Sequence, residues 1–220
     1  KTAKLTSKGR GIYQIDNYNC LEYPEKELIM NPYTLGAWLG GGSKGKGCIT
    51  HSVEDQPVIE RIKEDGYKIS TVNIHKSTGV YTTYFSGPRP NVSCEMSIQL
   101  KKLGVYKDKF IPDVYLRSSK KQRLELLAGL IDTDGSLDKN SRMRFTTVDK
   151  RLADGVLDLC YSLGFRPSIS SVEPSLSSSG TQGKKKYYVI AFNPTEYVPC
   201  VLERKQPKRF VNQRKISIVD

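Results

Sequence analysis

The alternation of apolar and polar positions predicts a series of elements that occurs twice along the chain. Each series opens with a helix, over 33–41 and 120–134, and a strand pair or hairpin follows near 47–53 and 135–147. The elements predicted after these are amphipathic helices over 57–65 and 152–163, strands over 68–76, 80–85, 167–173 and 185–193, and closing helices over 93–103 and 195–204. The order α-β-β-α-β-β-α in each series predicts an α+β fold with two similar halves.

An internal repeat supports this duplication. Residues 35–43 superpose on residues 128–136 at an offset of 93, and residues 58–67 match residues 156–165 at an offset of 98. Two separated matches in the same order support a duplicated unit better than either match alone. The predicted organisation is an N-terminal basic arm over 1–30, a first unit over 31–115, a second unit over 116–212 and a C-terminal tail over 213–220.

Small residues lie four positions apart on each opening helix, at Gly36 and Gly40 in the first unit and at Gly129 and Thr133 in the second. Such residues share one helix face and allow two helix backbones to approach closely. We therefore expect the two helices to pack on each other at a pseudo-two-fold axis. The alternative is that these glycines only end each helix in a tight turn.

The same packing would bring the C-terminal ends of both helices to one place. In the second unit this end carries Asp132 and Asp134. A carboxylate at a helix C-terminus meets the unfavourable end of the helix dipole unless a cation is bound nearby. Carboxylate oxygens are typical ligands of Mg²⁺, and acids from two helices can form a two-metal site for phosphodiester chemistry. An Asp-Gly pair taken alone is more often a turn.

The charge of the chain indicates a negatively charged partner. Its 220 residues include 35 Lys and Arg against 23 Asp and Glu, a formal charge of +12, and nucleic acid is the partner that such an excess favours. No apolar run approaches the roughly 20 residues that span a bilayer, so a membrane partner is not expected. The five cysteines lack metal-ligand spacing, which predicts reduced thiols in an intracellular protein rather than a zinc site.

Residues 127–135 read Leu-Ala-Gly-Leu-Ile-Asp-Thr-Asp-Gly and resemble the LAGLIDADG motif of homing endonucleases, from which they differ at one of nine positions. Residues 31–40 resemble the first motif of the two-repeat, intein-encoded branch of that family. Residues 109–112, Lys-Phe-Ile-Pro, lie 25 residues before Asp134, as the basic Ile-Pro segment of the family does. The resemblance covers about residues 28–212.

The resemblance implies the LAGLIDADG homing endonuclease fold, a pseudo-symmetric monomer whose two αββαββα units form a β-saddle over double-stranded DNA. It also implies a staggered double-strand break in a long target site, with Mg²⁺ or Mn²⁺ as cofactor. Because the chain opens at Lys1 and closes at Asp220 without splicing residues, we expect it to be the endonuclease portion of a longer, intein-type chain. We expect it to be intracellular and DNA-associated, and nuclear if the host is eukaryotic.

The resemblance also implies roles for single residues. Asp134 matches the metal-binding acid of the second motif, and Lys109 matches the basic residue of the first half. The basic residue of the second half is either Lys205 or Lys208. The candidate catalytic positions are Asp134, Gly41, Lys109, Lys205 and Lys208, and the candidate metal positions are Asp134, Gly40 and Thr133.

The first motif departs from the family pattern. It reads Gly40-Gly41-Gly42 where the family has Gly-Asp-Gly, so Gly41 occupies the position of the second metal-binding acid. No acid lies between Leu39 and Val53 to replace it. We therefore expect a domain that binds its DNA but cleaves it slowly, on one strand only, or not at all. The rival interpretation is a catalytically inactive DNA-binding protein, or a maturase-like RNA-splicing cofactor, with the same fold.

Basic and aromatic residues occur where a saddle over DNA would need them. Arg142 and Arg144 alternate with Met143 on a predicted strand and therefore share one face. Arginine and lysine can pair with guanine edges in the major groove, although most basic contacts go to phosphates. The candidate DNA-binding residues are Lys68, His75, Lys76, Tyr81, Tyr84 and Arg89 in the first unit and Arg142, Arg144, Arg166, Lys184, Lys185, Lys186 and Arg209 in the second.

Overall fold

The computed structural model describes residues 14–16, 19–86, 94–174, 185–208, 210 and 215–217. The helices are α1 (Pro32–Gly41), α2 (Gln56–Glu64), α3 (Glu95–Lys102), α4 (Asp113–Leu116), α5 (Lys120–Asp134) and α6 (Lys150–Ser162). The strands are β1 (Gln14–Asp16), β2 (Cys48–His51), β3 (Lys68–His75), β4 (Val80–Ser86), β5 (Gly135–Leu137), β6 (Met143–Thr147), β7 (Ser168–Val172), β8 (Tyr187–Phe192) and β9 (Lys215–Ser217). Short 3₁₀ helices occur at Val53–Asp55 and Glu203–Lys205.

Local sequence explains where α1 and α5 begin. Asn31 caps α1, because its side chain accepts a hydrogen bond from the Tyr33 N–H at 2.9 Å. Pro32 occupies the first turn, where no N–H is needed for the helix. At the start of α5, Ser119 and Gln122 form a capping box in which each side chain accepts from the other's backbone N–H. Both helices are thus fixed at the end opposite to their motif glycines and acids.

α1 and α5 cross with their backbones in direct contact. A Cβ atom on Gly36 would lie 2.1 Å from the Leu126 carbonyl oxygen. A Cβ atom on Gly129 would lie 2.1 Å from the Tyr33 carbonyl oxygen, and Tyr33 corresponds to Leu126 at the offset of 93. The two contacts are therefore related by a pseudo-two-fold axis, and the packing prediction is confirmed. The tight-turn alternative is wrong, because both glycines lie inside helices.

Each unit has one antiparallel sheet. The strand order is β2-β4-β3 in the first unit and β5-β6-β8-β7 in the second. In the second sheet β5 pairs with β6. At the corresponding place in the first sheet there is only an isolated bridge between Gly42 and Ile49. The hairpin predicted near 47–53 is therefore wrong, and β2 is a single strand. The glycine-rich stretch before it, which turns at Gly45 with φ +77°, has little propensity for a strand.

One face of each sheet packs on helices. Ile49 and Phe85 of the first sheet, and Phe145 and Ile190 of the second, are buried in the same core as residues of α2 and α6. Successive residues along a strand point to opposite faces. The faces opposite to these core residues are called the outer faces, and their residues are available for contacts outside the core.

The closing helix predicted over 195–204 is wrong. Within this fully described stretch the only helical residues belong to a 3₁₀ turn that begins at Glu203. Pro199 has no N–H to donate and disfavours a helical residue before it. The N–H groups of Val201 and Leu202 donate instead to the carboxylate of Asp132, at 2.8 and 3.2 Å. A tertiary hydrogen-bond network thus replaces the helix.

The arm predicted over 1–30 and the tail predicted over 213–220 are described only in part. Gln14–Asp16 pairs with Lys215–Ser217 in an antiparallel ladder. The part of the arm from residue 19 onward packs against the second unit, where the Leu21 N–H donates to the Ser162 carbonyl oxygen at 2.9 Å. The boundaries of the arm, the two units and the tail stay a prediction.

The structure shows the state of the cysteines and the character of the helices. All five cysteines are free thiols. Burial raises the pKa of Cys160 and of Cys200 well above the usual range, so these two thiols are unreactive core residues. In the described ranges, no helix has the length and apolar character that crossing a bilayer requires.

Arg123 ties the arm to α5 and α6. Its side chain is fully buried and donates to the carbonyl oxygens of Ser118 at 2.9 Å, Ser162 at 2.6 Å and Leu21. The ring of Tyr23 lies 5.1 Å from the guanidinium carbon. Neutral carbonyl groups and an aromatic ring therefore hold this buried cation.

We expect Arg123→Met to lower the free energy of unfolding by about 2 to 3 kcal/mol, because it would remove the guanidinium hydrogen bonds to three carbonyl oxygens, of which only that of Ser162 keeps a backbone donor. Urea denaturation followed by circular dichroism measures this loss. Lys121→Met removes an exposed cation two residues away on the same helix and should change stability by less than about 0.5 kcal/mol. Equal effects of the two substitutions would contradict the role assigned to Arg123.

Candidate functional site

The C-terminal end of the α1–α5 pair opens into a pocket of about 670 Å³. Asp134, the last residue of α5, lines this pocket together with Lys109 and Gly40. Lys109 is only 7% exposed, and its Nζ donates to the Gly40 carbonyl oxygen at 3.2 Å. The structure thus brings together three residues that the sequence places in separate segments.

Asp134 lies where its negative charge is disfavoured. Burial raises the pKa of this carboxyl to about 6, and the ammonium groups of Lys109 and Lys205 lower it only in part. No hydrogen bond from the described residues stabilises the carboxylate. Its position at a helix C-terminus adds to the penalty. A cation bound beside this carboxylate would favour its charged form.

Lys109 is a buried cation that interacts electrostatically with two acids. Burial lowers the pKa of its ammonium group to about 8, while the carboxylates of Asp134 and Asp149 act in the opposite direction. The ring of Trp38 lies 5.3 Å from its Nζ, which gives a further favourable contact for the charge. At neutral pH Lys109 therefore carries its proton in a largely dry position beside Asp134.

Lys205 occupies the corresponding place at the end of α5. Its Nζ donates to the carbonyl oxygens of Ile131, at 3.2 Å, and Gly135, and the residue is 9% exposed. Lys208 is exposed to solvent. Because Lys109 caps the end of α1 in the same manner, this symmetry favours Lys205 over Lys208 as the basic residue of the second half.

Asp132 has a structural environment that differs from that of Asp134. Its Oδ2 accepts hydrogen bonds from the Tyr33 hydroxyl and the Val201 N–H, both at 2.8 Å, and its Oδ1 accepts from the Leu202 N–H. Burial raises its pKa, and these hydrogen bonds counteract that rise. Asp132 therefore joins α5 to α1 and to the segment after β8, whereas Asp134 faces the pocket.

Gly41 stands at the position equivalent to Asp134 and brings no acid to the end of α1. A Cβ atom there would lie 3.1 Å from the Thr50 carbonyl oxygen and 3.3 Å from the Thr133 Cβ. A side chain would fit if these neighbours moved by a few tenths of an ångström. The Thr133 hydroxyl donates to the Gly129 carbonyl oxygen at 2.9 Å, so it is engaged within α5.

The residues present fit one divalent cation rather than two. In the part of the chain that the structure describes, no group of three or more His, Cys, Asp or Glu side chains is arranged to hold a metal ion. Mg²⁺ is commonly held by one or two carboxylates together with phosphate oxygens of a substrate. The Asp134 carboxylate and the Gly40 carbonyl oxygen at the same pocket match that donor set.

Asp149 is a pocket residue that sequence reasoning missed. It is the N-cap residue of α6 and forms an ion pair with Lys44 of the first unit at 2.9 Å. In the first unit Asp55 is likewise the N-cap residue of the second helix, α2, and forms an ion pair with Arg204 of the second unit. An acid before the second helix of both repeats is the signal that could have identified it.

The outer face of the first sheet is polar. Tyr84 and Thr82 lie on this face, and His75 reaches it through a contact of 3.2 Å between its Nε2 and the Thr82 hydroxyl. Lys68, the first residue of β3, is exposed, and so is Lys76 in the turn after β3. Four candidate DNA-binding residues of the first unit, Lys68, His75, Lys76 and Tyr84, are thus available outside the core.

Tyr81 lies on the opposite face from Tyr84. It pairs with His51 across β2 and β4, and the two rings stack with centroids 5.7 Å apart. Residues three apart in a regular strand point to opposite sides. Tyr81 therefore does not share the outer face with Tyr84, and its role in DNA binding stays a prediction.

The outer face of the second sheet carries Arg142 and Arg144, which are on one side as predicted. Lys185 is exposed and lines the same pocket as Asp134. Lys186 forms an ion pair with Glu173 at 3.0 Å on the surface. Arg166 is exposed before β7. Three further candidates, Arg89, Lys184 and Arg209, lie outside the described residues.

Comparison with protein families identifies the second half of the chain. Residues 121–197 match the family model of the LAGLIDADG-like domain. The match begins in α5 and contains the sheet of the second unit, with Asp134 at the end of α5. Together with the antiparallel sheets, it confirms the expected α+β LAGLIDADG fold.

Two kinds of known proteins are similar to this chain. The replicative DNA helicase DnaB of Mycobacterium intracellulare is 33% identical over 193 residues, which are 88% of this chain and 28% of the helicase. The chain thus spans about a quarter of that relative's length. The structure of I-DmoI in complex with DNA and Mn aligns with 75% of this chain and 89% of its own, at 20% identity and a TM-score of 0.45. The N-terminal LAGLIDADG domain of WhiA aligns with 72% and 75%, at 13% identity and a TM-score of 0.42.

Proposed function

We propose that this chain is the DNA-binding and DNA-cleaving domain of a homing endonuclease, which acts at a long, specific site in double-stranded DNA with Mg²⁺ or Mn²⁺. The observation that carries the proposal is Asp134, a carboxylate with a raised pKa at the end of a motif helix, in one pocket with the buried Lys109. The LAGLIDADG-like domain over 121–197 and the charge of +12 support the same function.

A divalent cation in this pocket would be held by the Asp134 carboxylate and the Gly40 carbonyl oxygen, with phosphate oxygens of the DNA completing its ligands. When bound, such a cation supplies Lewis-acid activation for phosphodiester hydrolysis. Lys109, whose pKa is lowered to about 8, keeps its proton at neutral pH and would stabilise negative charge on the phosphate that is attacked. Lys205 is assigned the equivalent position in the second half.

The glycine at position 41 makes the site one-sided. The end of α5 offers a carboxylate to a cation, and the end of α1 offers only backbone and the ammonium group of Lys109. We therefore propose that the chain nicks one strand of its target, or cleaves it slowly, in place of the efficient staggered double-strand break that two acids would support.

The absent acid also favours a second candidate function. A chain that has lost catalysis could keep the outer faces and bind nucleic acid without cutting it, as a DNA-binding protein or a maturase-like RNA-splicing cofactor. Asp134 with its raised pKa and the buried Lys109 with its lowered pKa, together in one pocket, favour the endonuclease, because a protein that only binds does not need this costly pair.

The similarity to part of a DnaB helicase supports an intein context, in which the domain lies within a larger chain. We propose that the domain acts as a monomer, because α1 and α5 of a single chain supply both halves of the helix pair. We also propose that it is intracellular and DNA-associated, and nuclear if the host is eukaryotic.

We expect Gly41→Asp to increase the rate of double-strand cleavage with Mg²⁺ by about 10²-fold, the typical effect of one charged or polar group at a reacting centre. The substrate is a plasmid that carries a site selected by binding from a random-sequence duplex library. Gel electrophoresis separates supercoiled, nicked and linear products, so that cleavage of one strand and of both strands is measured in the same assay.

Gly41→Asn is the matched control, because it adds the same side-chain volume without the charge. Thermal denaturation of both variants accounts for the close Thr50 and Thr133 contacts at this position. An unaltered chain that linearises the plasmid as fast as Gly41→Asp would contradict the one-sided site. Tight binding without cleavage by any of the three proteins would favour the binding-only function.

A further inference from the structure

Two arginines on the outer face of the second sheet form a pair with an unusual environment. Arg144 lies in β6 and Arg142 directly precedes that strand. Being two residues apart along an extended chain, they point to the same side and are separated by about 6.8 Å. This spacing corresponds to two base steps along one DNA strand, at about 3.4 Å for each step.

Asp138 holds Arg144 in place. One carboxylate oxygen of Asp138 accepts from the backbone N–H groups of Asn140, at 2.8 Å, and Arg142, at 3.0 Å. The other oxygen accepts from Nη2 of Arg144 at 3.4 Å. The backbone turn orients the Asp138 carboxylate, and this carboxylate in turn orients the Arg144 guanidinium. The Arg144 side chain remains 48% exposed. The rest of its fork of donors is free to bind an acceptor outside the protein.

The Arg142 side chain lies against the sheet, and one of its N–H groups has no hydrogen-bond acceptor. Its Nη2 donates to the Ser168 hydroxyl at 2.8 Å. Its Nε is buried without an acceptor, and among the described residues it is the only buried side-chain nitrogen or oxygen in that condition. An unpaired buried N–H is unfavourable. Movement of Arg142 towards an external acceptor therefore relieves a penalty that the free protein carries.

The first sheet has no counterpart to this pair. The middle of its outer face carries hydroxyl and amide groups, from Thr50, Asn73, Thr82 and Tyr84. Cationic or titratable side chains on β3 occur only at its ends, at Lys68 and His75. On the described strands, the two outer faces therefore differ in kind, although the two units are related by a pseudo-two-fold axis.

We infer that Arg142 and Arg144 are a guanine-reading pair, which requires two guanines, two positions apart, in the half of the DNA target that lies under the second sheet. An arginine fork matches the O6 and N7 acceptors of guanine in the major groove, and a fixed fork gains specificity because its orientation is set before binding. The described strands of the first sheet carry no such pair. This inference rests on the proposed DNA-binding function and goes beyond it by naming the class of sequence that is bound.

The test is a binding selection that does not depend on cleavage. The chain is incubated in Ca²⁺ with a random-sequence duplex library, and the bound DNA is sequenced through successive rounds. The enriched site should contain two guanines, two positions apart, in one half only. Arg144→Lys and Arg142→Lys keep the charge and remove the fork, and each should lower the preference at one of these guanines by about 10- to 100-fold.

Two further variants separate specificity from general binding. Asp138→Asn should weaken the preference only at the guanine read by Arg144. Arg117→Lys changes an exposed arginine at the end of α4 and should leave every base preference unchanged. An enriched site that contains no guanine sensitive to either lysine variant would overturn the inference while leaving DNA binding intact. A chain that binds no DNA would overturn the proposed function, and the inference with it.

Discussion

Gly129→Ala is expected to lower the free energy of unfolding by about 3 kcal/mol or more, although alanine favours a helix over glycine by about 1 kcal/mol. The added Cβ would lie 2.1 Å from the Tyr33 carbonyl oxygen and 2.6 Å from the Ala37 nitrogen. Both neighbours are backbone atoms, so α1 and α5 would have to move apart. Because the core packs around this helix pair, the separation would also loosen contacts in both units. Urea denaturation measures the effect.

Gly155→Ala is the matched control, since Gly155 is also buried within a helix. Its Cβ would lie 3.3 Å or more from Ile111, whose side chain can adjust. We expect this variant to differ from the unaltered chain by less than about 1 kcal/mol. Gly36→Ala should match Gly129→Ala, because its Cβ would lie 2.1 Å from the Leu126 carbonyl oxygen. Similar stabilities for Gly129→Ala and Gly155→Ala would contradict the backbone contact.

Elements with a strong local pattern could be predicted from the sequence. The helix predicted over 120–134 is α5 with the same bounds, and the helix predicted over 33–41 is α1 to within one residue. Their packing was predictable as well, because small residues at helical spacing in both repeats allow the two helix backbones to approach closely. Where the structure depends on distant partners, prediction failed: the segment over 195–204 is held by the Asp132 carboxylate, which lies 69 residues before Val201.

The sequence motif identified only part of the candidate site. The motif points to Asp134 and Lys109, and the structure places both in one pocket. The choice between Lys205 and Lys208 required the position of the α5 terminus in space, and the exclusion of Tyr81 from the outer face required the strand register. The catalytic and DNA-binding roles of these residues stay predictions.

Asp134→Asn is expected to abolish metal-dependent cleavage, with a loss of about 10³-fold or more, and also to make the protein more stable. Burial raises the pKa of this carboxyl from 3.8 to about 6. The folded chain therefore binds a proton more tightly than the unfolded chain does, and the carboxyl's contribution to the free energy of unfolding falls as the pH rises from about 4 to about 6. Above that range the neutral amide should stabilise the fold, although solvent screening of this exposed side chain limits the gain to about 1 kcal/mol.

Asp132→Asn is the matched control for this prediction, because it makes the same chemical change two residues away on the same helix. Asp132 accepts hydrogen bonds from Tyr33, Val201 and Leu202, and an amide would turn its NH₂ group towards donors. We expect this variant to lose about 1 to 3 kcal/mol of stability. Urea denaturation at pH 4.5 and pH 7 should show a larger Asp134→Asn advantage at the higher pH. An Asp134→Asn protein that is less stable than the unaltered chain at pH 7 would mean that Asp134 supports the fold, and that its carboxylate is not kept there for a cation.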